Sequence, residues 1–347
     1  MAETDAPADA PRWTPVLADR THLPAIHALY RLIWGPVRSQ AYLAWKLFDA
    51  PVSPIPPVLA MDGDVCVGVY AVIATPLVLD GQKVMGAQSV DTMTHPAYRR
   101  QNMSVTLARF CYAEAARRGF ALVYGLPNSS SYPMFMKKLD WRHVDEMVRH
   151  VRPLSAPSRI PRPFAAPLTR LLRAQARLAG SFGPSATVAP VTAATRFVLP
   201  AAPAPAARCV VDKSPIWFAW RYGAEPEGRY ETLTLGDPAR PDALIVFDRV
   251  SDDADAAGRS LLRIQEWIGI TDAARTAALR AVVALAAGRG YASVFLYTND
   301  PAATALLKQA WFFGRGSLPL CLGALGAFDG QEPRAPGDMV VLGGDKD

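Results

Sequence analysis

The residues best suited to chemistry lie at a basic turn that includes Arg99 and Arg100. A strand-like run leads into this turn, and apolar or small residues follow it at helical spacing from Val105 to Ala115. The first amides of a helix have no partner inside the helix, and they attract anions. The order of strand, basic turn and helix therefore predicts a phosphate-binding site.

The elements around the turn predict an α+β domain. Helical patterns over residues 21–34 and 39–48 come first, and two hairpins follow, with turns at residues 62–64 and 80–81. A buried-looking strand over residues 120–126 and another short helix come after the basic turn. Helices, then hairpins, then alternating strands and helices indicate a mixed, mostly antiparallel sheet flanked by helices.

Later parts of the chain echo the first part. Residues 212–222 repeat the pattern of residues 39–47, in which apolar residues and an alanine precede a tryptophan and a basic residue. Residues 288–295 match residues 117–124 at an offset of 171, in a register without gaps over about 25 residues. The predicted organisation is a flexible tail (1–12), a first domain (13–152), a linker rich in proline, alanine and arginine (153–208), a second copy of the fold (209–328) and a tail (329–347).

The positive charge is concentrated in one region. The chain has a net charge of +6, yet residues 147–211 alone contain nine arginines and no aspartate or glutamate. These arginines stand among prolines and alanines, without the aromatic residues of a base-reading surface, so nucleic-acid binding is not expected. Residues 166–178 form a basic amphipathic helix within this linker. Such a helix contacts an anionic membrane surface or packs across a domain, and we favour packing.

Cysteine usage and hydropathy indicate a cytoplasmic protein. The four cysteines are scattered and lack CxxC spacing, which is typical of buried thiols in a reducing compartment and predicts no metal site. The N-terminus lacks the pattern of a secretion signal, and no apolar run reaches the roughly 18 residues that a membrane span needs. The length suffices for two domains that each have a core.

Two stretches resemble motifs of the GNAT (Gcn5-related) N-acetyltransferases. Residues 94–104, THPAYRRQNMS, resemble motif A, and residues 128–141, NSSSYPMFMKKLDW, resemble motif B. The resemblance covers residues 20–150 well and residues 210–325 weakly, which implies two GNAT-like domains with a degenerate second copy. It also implies acetyl-CoA as co-substrate and transfer of the acetyl group to a primary amine of a small molecule. An amino sugar of surface-polysaccharide synthesis is one such acceptor.

The resemblance also assigns the cofactor-binding residues. It places the pyrophosphate of coenzyme A on the amides of residues 100–104 and the pantetheine arm along the strand before the turn. Asn102 and Ser104 stand where the family has glycines; Asn tolerates a positive φ better than other residues with a side chain, and Ser is small. The predicted cofactor-binding residues are Met93, Thr94, Arg99, Arg100, Gln101, Asn102, Met103, Ser104 and Asn128.

Tyr132 and Asp91 are the predicted catalytic residues. Met136 aligns with the family's tyrosine that protonates the departing thiolate, and Tyr132 lies one helical turn earlier on the same face, where it can serve as the acid. Strand alternation puts Asp91 on one face with His95 and opposite Val90, so its carboxylate can accept the proton of the amine. The alternatives are structural: Tyr132 packs on the sheet, and Asp91 is a hydrogen-bonded strand residue.

The second copy lacks a comparable basic turn. Residues 268–275 stand at the position of motif A, and Asp272 near the predicted helix start would repel phosphate. We therefore expect this copy to complete the acceptor groove or to stabilise the first domain, without binding coenzyme A. The rival functions are an aminoglycoside-type acetyltransferase, a FemABX-like aminoacyl transferase and a non-catalytic scaffold that binds coenzyme A.

Overall fold

A computed structural model describes residues 12–345 except 37, 158, 182, 203–205, 252–258 and 329. The helices are α1 (Leu23–Trp34), α2 (Gln40–Phe48), α3 (Met103–Arg117), α4 (Tyr132–Lys138), α5 (Arg162–Ser181), α6 (Pro215–Phe218), α7 (Asp272–Gly288) and α8 (Pro301–Gln309). The strands are β1 (Thr14–Leu17), β2 (Val58–Asp62), β3 (Val65–Leu79), β4 (Gln82–Thr94), β5 (Leu122–Gly125), β6 (Arg142–Pro153), β7 (Ala186–Pro190), β8 (Cys209–Val211), β9 (Tyr230–Asp237), β10 (Arg240–Ser251), β11 (Ser260–Gly269), β12 (Ser293–Thr298), β13 (Phe313–Ala324) and β14 (Met339–Val340).

All these strands belong to one mixed, mostly antiparallel sheet. Its order is β1-β2-β3-β4-β5-β13-β6-β12-β11-β10-β9-β7, with β8 beside β3 and β14 beside β8. Among the described strands, the pairs β4–β5, β11–β12 and β8–β14 are parallel and the other pairs are antiparallel. The predicted α+β class with a sheet flanked by helices is confirmed, and the strands of the two halves of the chain join in a single sheet.

Each half of the chain supplies one strand to the other. Strand β6 follows β5 in the chain, yet it pairs with β12 and β13, while β13 lies between β5 and β6. The bounds of β6 and β13 differ by 171 residues at both ends, which equals the offset found in the sequence. Reading the sheet outward from the β6–β13 pair gives the same order of elements on both sides. We refer to residues 13–152 and 209–328 as the first and second halves.

Two tryptophans join the halves on one face of the sheet. The rings of Trp45 in α2 and Trp220, just after α6, lie 5.3 Å apart and 28° from parallel. Trp45 Nε1 donates to the carbonyl of Trp220 at 2.9 Å, and Trp220 Nε1 donates to the carbonyl of Trp45 at 3.3 Å. The sequence echo between residues 39–47 and 212–222 therefore marks a reciprocal contact in the core. Trp217 and Tyr222 are buried beside it.

The other face of the first half is covered by α3 and α4. Leu107, Ala108 and Cys111 of α3 are fully buried against the sheet, because apolar residues three and four positions apart share one side of a helix. The N-terminal cap of α2 is Ser39, whose hydroxyl accepts from the amide of Tyr42 at 3.1 Å. All four cysteines are buried free thiols.

The linker contains more regular structure than predicted, and the C-terminal segment departs from its prediction. The predicted amphipathic helix is present as α5 and is longer than expected, and β7 of the linker adds an edge strand beside β9. Residues 1–11 of the predicted N-terminal tail lie outside the described residues. The C-terminal tail prediction is corrected: Met339 and Val341 are buried, because this segment pairs with β8 and fills an opening in the sheet.

Candidate active site

The basic turn before α3 has a backbone conformation that glycine adopts most readily. Arg100 and Asn102 adopt left-handed conformations, with φ of 65° and 58°. Such a conformation costs a residue with a side chain roughly 1–2 kcal/mol, and asparagine tolerates it best. Left-handed residues within a turn aim successive N–H groups at one concave face, which is an anion-binding geometry. Asn102 therefore substitutes for glycine in conformation as well as in position.

The helix start leaves amides available in this turn. The carbonyl of Asn102 accepts from the amides of Val105 and Thr106, both at 3.1 Å, so helical bonding begins there. In the described part of the chain, the amides of Met103 and Ser104 make no backbone hydrogen bond. The Ser104 hydroxyl lies 3.0 Å from the hydroxyl of Thr94 and ties the helix start to the end of β4. The structure thus brings together the strand end, the turn and the free amides.

Lys138 also lies at this turn, and it is not among the residues predicted from the sequence. Its ammonium donates to Oδ1 of Asn102 at 2.8 Å, and its carbonyl accepts from Arg109 at 3.1 Å. The last turn of α4 is therefore fastened to the start of α3. Arg99 and Arg100 are exposed beside it. The adjacent lysines at the end of motif B were the only sequence signal for this contact.

Two predicted cofactor residues, Met93 and Met103, have buried side chains. They are 1% and 2% exposed, so only their backbone groups can face a ligand. Met103 packs where Gly68 of β3 has no side chain, since a Cβ there would lie 2.3 Å from the Met103 sulfur. Gln101 is exposed in the turn. The methionines therefore fix the positions of β4 and α3 around the site.

A bulge in β4 changes which residues face the helices α1 and α2. Asp91 has a φ of 42°, and the register with β3 shifts between Val69–Met93 and Ala71–Val90. The ladder between β4 and β5 ends at the pair Gln88–Tyr124, so the two strands separate beyond it. The predicted alternation of Asp91 against Val90 is corrected, because the inserted residue lets both contact the same core.

The bulge is held by a buried ion pair. Lys46 Nζ of α2 lies 2.7 Å from Oδ2 of Asp91, and the two side chains are 2% and 9% exposed. Burying an unpaired charge is costly, so each group stabilises the other in this position. The role of Asp91 as general base stays a prediction. Its geometry is that of a carboxylate that already neutralises an ammonium and supports the bulge.

Tyr132 meets a histidine that the sequence reading did not select. Its hydroxyl lies 3.1 Å from Nδ1 of His143 on β6. The other ring nitrogen, Nε2, lies 2.9 Å from the carbonyl of Asp145 and 3.2 Å from the Glu146 carboxylate. Because both neighbours of Nε2 are hydrogen-bond acceptors, we assign the single proton of the neutral ring to Nε2. Nδ1 then accepts a hydrogen bond from the Tyr132 hydroxyl. No pattern in the sequence marked His143, since strand order brought it beside α4.

The oxygen of the Asn128 side-chain amide is already hydrogen-bonded within the protein. Its Oδ1 accepts from the amides of Ser130 and Ser131, each at 3.0 Å, and so fixes the loop before α4. Its role toward the pantetheine arm stays a prediction, and only the NH₂ group is suited to it. Among the described residues there is no cluster of three or more potential metal ligands.

In the second half, the chain itself occupies the corresponding opening. Asn299 stands 171 positions after Asn128; its Nδ2 donates to the carbonyl of Met339 at 2.7 Å, and its Oδ1 accepts from the amide of Val341 at 2.9 Å. The last pair between β11 and β12 is Arg263–Phe295, and residues 339–345 run through the opening beyond it. Gln88 of β4 then donates to the carbonyl of Asp345 at 2.6 Å.

Comparisons with known proteins address the first half most directly. The family described as acetyltransferase (GNAT) domain matches residues 17–144. No curated protein matches the chain. In the described part of the chain, no helix is long and apolar enough to cross a membrane.

Solved structures share the fold over most of the chain. A GCN5-related N-acetyltransferase from Anabaena variabilis is 13% identical, with a TM-score of 0.62 over 93% of this chain and 75% of that one. A second, from Kribbella flavida, is 15% identical, with a TM-score of 0.58 over 91% and 71%. The N-myristoyltransferase of Saccharomyces cerevisiae, solved with myristoyl-CoA, is 11% identical, with a TM-score of 0.59 over 92% and 80%. The chain thus contains a GNAT acetyltransferase domain, and its basic turn before α3 lies within it.

Proposed function

We propose that this protein transfers an acetyl group from acetyl-CoA to a primary amine of a small molecule. The observation that carries the proposal is the turn at residues 100–104. Its two left-handed residues and free helix-start amides suit an anion, and they follow the last part of β4, which is no longer paired with β5. A pyrophosphate needs such amides, and an amide-bearing arm needs the edge of a separated strand.

The residues of the first half fit coenzyme A. The amides of Met103 and Ser104 would bind the pyrophosphate, and the positive groups of Arg99, Arg100 and Lys138 would offset its charge. Backbone groups near Met93 and Thr94 and the NH₂ of Asn128 would bind the pantetheine arm, and Gln101 would flank the phosphates. The cofactor supplies an acetyl thioester, whose carbonyl an amine attacks directly once both are held close.

Tyr132 and His143 are suited to the proton transfer that follows. An amide bond forms as the carbon–sulfur bond breaks, and the departing sulfur needs a proton. When His143 carries a second proton, its Nδ1–H donates to the Tyr132 oxygen, and the hydroxyl proton of Tyr132 is free to point at the sulfur. The amine releases its own proton to solvent or to a base. Asp91 is the predicted base, and its carboxylate already pairs with the ammonium of Lys46.

We propose that the second half is a degenerate GNAT copy that has lost cofactor binding. Its elements recur in the same order around the β6–β13 pair, and residues 339–345 occupy the opening where a pantetheine arm would lie. Asp272 stands at the start of α7, where it opposes phosphate. This half then shapes the acceptor groove, for which an amino sugar is our proposed ligand.

Thermal melting with acetyl-CoA tests the cofactor assignment. A ligand that binds only the folded state raises the free energy of unfolding, by about 2.7 kcal/mol when its concentration is a hundred times its dissociation constant, and the melting temperature rises as a result. Asn102→Asp keeps a side chain that tolerates the left-handed backbone and adds a negative charge, so we expect it to abolish the shift. Asp272→Asn is the matched control and should keep it. Equal effects of the two variants would refute the assignment to the first half.

Thiol release with a panel of amines tests the reaction. Amino sugars, aminoglycosides, peptides and polyamines cover the acceptor classes, and turnover with one of them is expected. Binding of acetyl-CoA without turnover on the whole panel would instead support a non-catalytic protein that binds coenzyme A.

A further inference from the structure

Helix α5 is attached firmly to the second half through one of its faces. It packs against α7, where Ala176 is 1% exposed and Gly180 lies so close to Ala284 that an added Cβ would come within 2.4 Å of the alanine Cβ. Arg173 and Arg177 donate to the carbonyls of Gly290 and Ala287 near the end of α7, at 3.0 and 3.3 Å. The predicted packing of this helix across a domain is thus observed.

The opposite face of α5 carries an apolar stripe that the described part of the chain leaves exposed. Phe164, Leu171 and Leu178 are 68%, 65% and 60% exposed. They are seven residues apart, so they lie in one line along the helix. Pro167 and Ala174, which fall between them on the same side, are exposed as well. Large apolar side chains scattered singly over a surface are common, whereas three in one line mark a contact surface.

Basic groups flank this stripe along one side. Arg170 and Arg177 are exposed and lie between the stripe and the face that packs on α7. Residues 147–211, which include α5, contain nine arginines and no acidic residue. An apolar line beside guanidinium groups matches the layering of a bilayer surface, in which acyl chains lie below anionic headgroups.

We propose that α5 lies in the surface plane of an anionic membrane, with the apolar stripe inserted between the lipids. Phe164, Leu171 and Leu178 contact acyl chains. Arg170 binds headgroup phosphates, together with the N–H groups of Arg177 that do not donate to Ala287. Residues 147–211 contain no acidic residue, which favours an anionic lipid surface as the occupant. A protein partner of ordinary surface charge would not require a segment without acidic residues. The contact is peripheral and places the second half against the membrane.

Sedimentation with lipid vesicles tests the proposal on the full chain. We expect binding to vesicles of phosphatidylcholine mixed with phosphatidylserine, little binding to phosphatidylcholine alone, and weaker binding at high salt. Leu171→Ser should weaken binding about tenfold, since about two thirds of a leucine side chain is no longer buried in lipid. Leu32→Ser changes a leucine of α1 that is 55% exposed, and it should leave binding unchanged.

A second pair of variants separates the charge effect. Arg170→Gln should weaken binding about fivefold, since each basic residue near an anionic surface contributes about 1 kcal/mol, and Arg31→Gln on α1 should not. Because these side chains are exposed, unchanged melting temperatures are expected and exclude misfolding. Failure of the wild-type chain to bind the anionic vesicles, or equal binding by Leu171→Ser, would overturn the proposal. So would self-association of the wild type that Leu171→Ser abolishes, measured by light scattering, since the stripe would then join two copies.

Discussion

Replacing Lys46 by methionine should destabilise the protein strongly, because the change leaves Asp91 buried without its ammonium partner. The two side chains are 2% and 9% exposed, so solvent screens them little. Removing one member of a buried ion pair typically costs about 3–5 kcal/mol, and methionine retains most of the apolar stem of lysine. We expect the free energy of unfolding, measured by urea titration with tryptophan fluorescence, to fall by that amount.

The double variant turns this expectation into a test of the pair. Asp91→Asn preserves a side chain that tolerates the φ of 42° at the bulge, so its cost is mainly electrostatic. Lys46→Met/Asp91→Asn buries neither charge and should cost at least about 2 kcal/mol less than the two single changes summed. If the cost of the double variant equals the sum of the two single costs within about 0.5 kcal/mol, the reasoning is refuted, because changes at independent sites add in that way.

The same variants decide between the two roles of Asp91. If Asp91 supports the bulge, turnover by the double variant should exceed that of Lys46→Met at a temperature where both are folded. If Asp91 is the base, both variants that lack it should lose roughly 10²–10⁴-fold in turnover while acetyl-CoA still raises their melting temperature. Asp64→Asn, in the exposed turn between β2 and β3, is the control for a lost aspartate.

Three further outcomes are expected. Burial, with a smaller effect of Lys308, lowers the pKa of His150. The neutral ring therefore stabilises the fold above the ordinary pKa of 6.5, and this contribution is lost as the pH falls. His150→Leu should flatten the decline of the melting temperature between about pH 7 and 5, and an unchanged decline would contradict the assignment. Gly68→Ala should cost about 1–3 kcal/mol in urea unfolding, because the new Cβ displaces Met103, and a neutral effect would show that this contact is loose. His143→Asn should lower turnover about tenfold or more without changing the acetyl-CoA melting shift; retained turnover would remove His143 from the proton path.

Local signals in the sequence predicted most elements of the first half, with the exception of β1 and β6. The serine cap of α2, the turn between β2 and β3 and the anion-binding turn before α3 all follow from residue types a few positions apart. Asn102 is the clearest case, because its tolerance of positive φ was the reason to expect that the turn survives without glycine, and its φ is 58°.

Features that depend on long-range pairing were not predicted. The alternation predicted along β4 was wrong because nothing local marks the bulge at Asp91. The residue that pairs with Asp91 there is a lysine of α2, 45 positions earlier. Strand β3 continues through Pro76 to Leu79. Strand β2 pairs with β3 only as far as Tyr70, and β8 begins its ladder at Leu77, so the missing amide of Pro76 breaks no ladder bond.

The exchange of β6 and β13 has a consequence for how the protein is made. Gly125 of β5 pairs with Cys321, which lies 196 positions later in the chain. At roughly 5–20 residues per second, the ribosome needs about 10–40 s to deliver that partner. During this interval the nascent first half has unpaired edges at β5 and β6, and such edges pair readily with other chains. Translation that stops between β6 and β13 would therefore release a product prone to aggregation rather than a folded first half.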